Sequence, residues 1–144
     1  MLLDGEQPMT MNDAQMCSPL RLAYVGDTVW DLLVRTRLML MGYNLHHIHE
    51  SAVKAVNAQA QAVSFHRIEG LLTNEEEAIA RRGRNAHARH PAPKNQTPGD
   101  YQAATALETL FGFLYLTGQD KRIQELFLKA SETGEEHAGC TNEM

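Results

Sequence analysis

The stretch "LAYVGDTVWDLLV", residues 22–34, is an apolar run with a Gly-Asp pair set into its middle. Its apolar residues go nearly all the way round a helical projection, which predicts a central helix. Ser18 and Pro19 mark its start, because a hydroxyl caps free backbone N–H groups and proline suits the first helical position. Gly42 is its predicted end. Asp27 therefore puts a carboxylate inside a helix that is predicted to be buried.

The rest of the chain continues in helical patterns, and no stretch alternates convincingly at period two. We predict an alanine-rich second helix over 46–68, a third opened by the capping box "TNEE" at 73–76, a fourth starting near Asp100, and an amphipathic fifth over 120–134. The predicted fold class is all-α. The predicted organisation is a flexible lead-in (1–17), one folded domain (18–133) and a disordered tail (134–144).

Length and composition limit the classes of protein to which this chain can belong. The chain has 144 residues, enough for one domain, and 43% of them are hydrophobic. No apolar run reaches the roughly 18 residues of a membrane span. The acidic start does not resemble a signal peptide. Cys17 and Cys140 are a poor basis for a disulfide, so we predict a reduced, cytoplasmic protein without a membrane partner.

The net charge of −5 argues against a generally basic surface for binding nucleic acids. However, acidic and basic residues are clustered in different segments of the chain. Residues 81–94, "RRGRNAHARHPAPK", hold five of the thirteen Lys and Arg residues and no acid. We call this segment the basic strip. On general grounds it is a solvated helix end whose arginines complement the helix dipole, and the alternative is a surface that binds phosphates.

Asp27 and Glu108 both lie inside the most apolar helices of the sequence. Around Glu108 the i±4 neighbours are Ala104 and Gly112, and such small side chains leave space beside the carboxylate. That space suits a hydrated Mg²⁺, which prefers oxygen ligands and keeps several waters. Gly26 would then let a second helix approach and bring Glu108 to the same ion. The alternative is an acid that is paired with an arginine or caps another helix.

Two separated segments resemble the active-site helices of the ribonuclease III family. They are "LAYVGDTVWDLLVR" at 22–35 and "ALETLFGFLYLTG" at 106–118, with matching positions Gly26-Asp27, Glu108, Gly112 and Tyr115-Leu116. The segments "EEEAIARRGRNA" (75–86), "PKN" (93–95) and "VNAQAQA" (56–62) are similar to Mini-III enzymes, the bacterial branch that consists of the catalytic domain alone. The resemblance covers roughly residues 19 to 129 and makes the folded segment a ribonuclease III-like catalytic domain.

The resemblance implies a homodimer that binds double-stranded RNA in a valley, with one acidic site per subunit. It implies Mg²⁺, for which Mn²⁺ can substitute, and identifies Asp27 and Glu108 as the catalytic and metal-binding residues. Each site would hydrolyse one strand and leave a 5′-phosphate and a 3′-hydroxyl. The branch is known for trimming the precursor of 23S ribosomal RNA, so this precursor is the expected substrate, and a ribosomal protein bound to it is a candidate partner.

The same resemblance suggests roles for further residues. The RNA-binding candidates are Arg81, Arg82, Arg84, Asn85, Lys94 and Asn95. Asp31 is either an acid that holds metal-bound water or an exposed acid paired with Arg35. Larger ribonuclease III enzymes carry further acids where this chain has Ala23 and Thr105, which leaves the number of metal ions open. Two other hypotheses are a catalytically silent RNA-binding module of the same fold and a helical scaffold.

Overall fold

The computed structural model describes residues 7–87 and 91–131, and within these ranges it contains helices and no β-strand. The helices are α1 (Met11–Met16), α2 (Pro19–Leu40), α3 (Leu45–Ala55), α4 (Ala58–Ile68), α5 (Asn74–Asn85), α6 (Pro98–Leu116) and α7 (Asp120–Ala130). A 3-10 turn, Glu69–Leu71, follows α4. The predicted all-α class is confirmed.

Helix α6 is the centre of the molecule and packs against α2, α4 and α5. It begins at Pro98, two residues before the predicted start, because the Thr97 side chain accepts a hydrogen bond from the Asp100 backbone N–H and caps the helix. From residue 103 to 114 every side chain of α6 except Glu108 is buried. The most apolar helix thus carries the acid of interest at its middle.

Residues 7–17, part of the predicted lead-in, contain the short helix α1 and contact α5. Thr10 caps α1 by accepting from the Asp13 N–H, and Ala14 is fully buried. Arg82 donates hydrogen bonds to the carbonyl oxygens of Gln15 at 2.6 Å and Cys17 at 2.9 Å. These contacts fasten the segment to α5. The predicted tail at 134–144 lies outside the described residues.

The predicted second helix is in fact two helices, α3 and α4. Val56 ends the first, and Asn57 caps the next by accepting from the Ala60 N–H at 2.8 Å. Since asparagine bonds well to free N–H groups at a helix start, it favours a new helix over continuation. At the start of α2, Ser18 forms no side-chain cap hydrogen bond, contrary to expectation. Gly42, with φ +85°, ends that region as predicted.

The capping box at the start of α5 is confirmed and also ties α5 to α7. Thr73 and Glu76 exchange hydrogen bonds between side chain and backbone in both directions. The Glu76 carboxylate also accepts from Arg122 of α7, with two N···O distances of 2.9 Å. Arg122 donates in addition to the Leu71 carbonyl at 2.9 Å. One buried acid thereby fixes three segments.

Candidate active site

Two glycines let α2 and α6 meet backbone to backbone. A Cβ added at Gly26 would overlap the carbonyl oxygen of Glu108 and lie 2.8 Å from the Gly112 nitrogen. A Cβ added at Gly112 would overlap the Leu22 carbonyl oxygen and lie 3.0 Å from the Gly26 nitrogen. Only glycine fits at either position. The predicted role of Gly26 as the residue of close approach is confirmed.

This close approach brings Asp27 and Glu108 together from separate helices, within hydrogen-bonding distance of each other. Their predicted burial is wrong in degree, since Asp27 is exposed and Glu108 is half-buried. The reason is position: Asp27 lies on the rim of the helix contact, whereas Gly26 lies within it. The pair is therefore open to solvent on one side, as a site that receives a substrate must be.

The electrostatics of the pair favour a shared positive partner. Burial, the hydrogen bond to Asp27 and repulsion by its charge together raise the pKa of Glu108 from about 4.5 to about 8. Without a cation, the protonated Glu108 carboxyl donates a hydrogen bond to the Asp27 side chain. A divalent cation placed between them would replace that proton and remove the repulsion.

Sequence reasoning missed a third group, Gln61 of α4. Its side chain lies beside Glu108, where the amide lowers the carboxyl pKa and partly opposes the effect of Asp27. Gln61 is only 3% exposed. The available signal was a polar residue in an apolar stripe, because Gln61 shares one face of α4 with Phe65 and Ile68 at spacings of four and seven.

The donor set fits a hydrated divalent cation. Mg²⁺ is commonly held by one or two carboxylates, with waters and substrate phosphates completing its shell. In residues 7–87 and 91–131 no cluster of three or more His, Cys, Asp or Glu side chains is arranged to hold a metal. Two carboxylates with an open side thus suit an ion that a substrate phosphate helps to bind, and not a closed structural site.

Asp31 does not join the pair. Its carboxylate accepts from the Arg35 guanidinium at 3.1 Å, one helical turn further on, and both side chains are substantially exposed. The structure therefore shows the second of the two arrangements considered for this acid. An exposed ion pair of this kind contributes little to stability.

The arginines of the basic strip have different surroundings. Arg81 donates to Glu77 at 2.7 Å on the exposed face of α5. Arg82 donates hydrogen bonds to the carbonyl oxygens of Gln15 and Cys17. Arg84 lies over the Phe65 ring, with its guanidinium carbon 5.4 Å from the ring centroid, and reaches Glu69 at 3.4 Å. Arg81 and Arg84 thus keep donors at the surface, whereas both contacts of Arg82 are structural.

The other members of the strip follow at the end of α5 and in the loop before α6. Asn85, Lys94 and Asn95 are exposed, and Asn95 has a left-handed φ of +72°. His87 stacks on Tyr101 of α6, with ring centroids 4.5 Å apart. His90 lies outside the described residues. The loop thus begins and ends against α6, the helix that carries Glu108.

The raised pKa of Glu108 predicts how stability depends on pH in the metal-free protein. Between about pH 4.5 and 8 the unfolded chain has lost this proton while the folded protein keeps it, so stability falls as pH rises through that window. Glu108→Gln removes the effect. We expect this variant to exceed the wild type in free energy of unfolding by on the order of 3 kcal/mol at pH 8.5, and by much less at pH 4.5. Urea titrations in EDTA measure both, and an equal difference at the two pH values contradicts the prediction.

In this all-α fold two acidic side chains meet between packed helices, and the family model of the ribonuclease III domain matches residues 20–119. The chain belongs to this family and is an endoribonuclease that acts on double-stranded RNA. Divalent metal dependence is general in the family.

Comparison with similar proteins shows which branch of the family this chain resembles. A Mini-ribonuclease 3 of Symbiobacterium thermophilum is 43% identical over 115 residues, covering 79% of this chain and 88% of the relative. One of Synechococcus sp. is 43% identical over 124 residues, covering 86% and 88%. A crystal structure of a protein from Fusobacterium nucleatum matches with a TM-score of 0.69 at 31% identity, covering 76% of this chain and 88% of that chain. The predicted likeness to Mini-III enzymes is confirmed.

Proposed function

We propose that Asp27 and Glu108 hold Mg²⁺, which Mn²⁺ can replace, and that this site hydrolyses one strand of a double-stranded RNA. When bound, the ion supplies an activated water and neutralises charge on the scissile phosphate. Asp27 and Glu108 would hold the ion in place, because both lie at fixed positions on packed helices. The products carry a 5′-phosphate and a 3′-hydroxyl. The observation that carries the proposal is the convergence of two acidic side chains, within hydrogen-bonding distance of each other, at an open surface.

The RNA is held, in this proposal, by the basic strip and the loop that follows it. Arg81, Arg84 and Lys94 contact phosphates, while Asn85 and Asn95 bond to backbone or 2′-hydroxyl oxygens. Proteins recognise A-form RNA by shape, phosphates and 2′-hydroxyls, because its major groove is too narrow for side chains. Arg82 keeps its place in the set by charge alone, since its guanidinium donates hydrogen bonds to the carbonyl oxygens of Gln15 and Cys17.

The proposed substrate is the precursor of 23S ribosomal RNA, in the cytoplasm, with a ribosomal protein on that RNA as a further partner. The similarity to enzymes named Mini-ribonuclease 3 is consistent with this substrate. None of the helices in the described parts of the chain is both long enough and apolar enough to cross a membrane.

A homodimer is the proposed assembly. On α2, Tyr24 is 83% exposed and Leu32 is 51% exposed, and they line an apolar groove together with Tyr115 and Ile123. Large exposed apolar side chains grouped in a groove are typical of protein interfaces. A second copy bound there would supply a second active site, so that the proposed dimer has one site for each RNA strand.

Tyr24→Asp should convert the dimer to a monomer, because it buries an unpaired charge in the proposed interface. Sedimentation velocity measures the state, and circular dichroism checks that the monomer is folded. Tyr43→Asp, on a different surface near α3, is the control and should leave a dimer. A Tyr24→Asp protein that sediments like the wild type would place the interface elsewhere.

The function is tested by incubating the purified protein with a perfectly paired RNA in Mg²⁺ and mapping the new ends. Cleavage of the duplex but not of its separated strands, with 5′-phosphate ends, is the expected result. Binding without cleavage would support the catalytically silent module instead. If the protein neither binds nor cleaves the RNA, only the scaffold hypothesis remains.

Lys94→Ala should weaken RNA binding without harming chemistry, because the side chain is exposed and remote from the core. We expect KM to rise several-fold with kcat nearly unchanged, and the slope of log affinity against log salt to fall by about 1. Lys121→Ala, an exposed lysine on α7, is the matched control and should change neither. An unchanged salt slope in Lys94→Ala would remove this residue from the RNA surface.

A further inference from the structure

We infer that Gln61 is a positioning residue for the metal site: its amide N–H holds the ionised Glu108 carboxylate in the orientation that binds the cation. This inference rests on the proposed metal-binding role of Asp27 and Glu108. It adds a third helix, α4, to a site that the sequence motifs confine to α2 and α6.

The first observation is an unsatisfied buried donor. The Gln61 side chain is 3% exposed, and its Nε2 forms no hydrogen bond of ordinary length and direction with any described residue. Most buried polar side-chain atoms in proteins have a partner, so such an atom calls for a specific explanation. A leucine of similar size would fit the apolar stripe of Phe65 and Ile68 at lower cost.

The second observation is what lies beside that donor. The Gln61 side chain lies within hydrogen-bonding reach of the Glu108 carboxyl, on the neighbouring helix α6. A carboxylate that binds a metal is charged, accepts hydrogen bonds strongly, and needs its second oxygen fixed. The amide therefore gains its partner in the state that holds the cation.

The position of Gln61 is set by local structure and not by chance contact. Asn57 caps α4 and fixes where the helix begins, and the Gln61 backbone N–H donates to the Asn57 carbonyl at 3.0 Å in the first turn. Helix α4 packs closely on α6. The side chain therefore has little freedom to turn to another partner or to solvent.

The test uses Gln61→Leu and Gln61→Met, both of which remove the amide and keep the volume. Mn²⁺ binding is measured at pH 8.5, without RNA, from the loss of the free-ion signal in electron paramagnetic resonance. We expect about 10-fold weaker binding in both variants, the lower end of what loss of such a supporting hydrogen bond causes. The Mg²⁺ concentration for half-maximal cleavage should rise in parallel, while KM for RNA stays unchanged.

The same variants should unfold at a higher urea concentration than the wild type in EDTA, because an unpaired buried amide is replaced by an apolar group. A merely structural glutamine would give the opposite change. Ser64→Ala is the matched control, since Ser64 is buried on α4 but lines the separate cavity beside Trp30. It should leave Mn²⁺ binding unchanged.

The outcomes separate this inference from the function on which it rests. Wild-type Mn²⁺ binding that Glu108→Gln abolishes and both Gln61 variants retain would overturn the role of Gln61 alone. Weaker binding accompanied by lower stability in both variants would overturn it as well, in favour of a packing role. A wild-type protein without Glu108-dependent Mn²⁺ binding would overturn both proposals.

Discussion

Asp27→Asn and Glu108→Gln should each lower kcat on double-stranded RNA by more than about 100-fold, which exceeds the usual effect of changing a residue that only supports a metal ligand. Each substitution keeps the shape of the side chain and removes one charge from the pair. The remaining carboxylate cannot hold the cation with the same affinity or geometry. RNA binding should persist, because the proposed phosphate contacts lie on α5 and in the loop before α6.

The measurement is single-turnover cleavage of a labelled duplex, with a gel-shift assay of the same samples in Ca²⁺ for binding. Asp31→Asn is the matched control: it also removes an acid from α2, but that acid is paired with Arg35. It should retain most of the wild-type rate. If Asp31→Asn lost as much activity as Asp27→Asn, the site would have to include Asp31 as well as Asp27 and Glu108.

Much of this architecture could be predicted from local sequence signals. The capping box at Thr73 and the stop at Gly42 depend on neighbours along the chain, and both occur where expected. Gly26 was predictable for a different reason, because a glycine beside an acid in an apolar helix favours close approach of another helix. These signals need no knowledge of the tertiary fold.

Other features could not be predicted because their partners are distant in sequence. Arg82 belongs by composition to the basic strip, but it bonds to carbonyl groups 65 and 67 residues away. Gln61 became a candidate only when α4 was seen to lie beside Glu108. The exposure of Asp27 was missed because a helical projection shows which residues share a face but not where that face ends.

Gly26→Ala should destabilise the protein by roughly 3 kcal/mol or more, at or above the upper end of what overpacking costs. The added Cβ would overlap the Glu108 carbonyl oxygen and lie 2.5 Å from its carbonyl carbon. These atoms belong to the backbone of a buried helix, so they cannot move aside as a flexible side chain would. For a domain of this size, thermal unfolding should fall by more than about 8 °C.

Gly99→Ala is the control, because a Cβ added in this first turn of α6 meets nothing within 4 Å. Its expected effect is a gain of about 0.4–1 kcal/mol from the less flexible unfolded chain. Gly26→Ala should also weaken Mn²⁺ binding in whatever fraction remains folded, since separating α2 from α6 separates Asp27 from Glu108. A Gly26→Ala protein with lower stability but wild-type metal affinity would show that the helix contact supports the fold without setting the distance between the two acids.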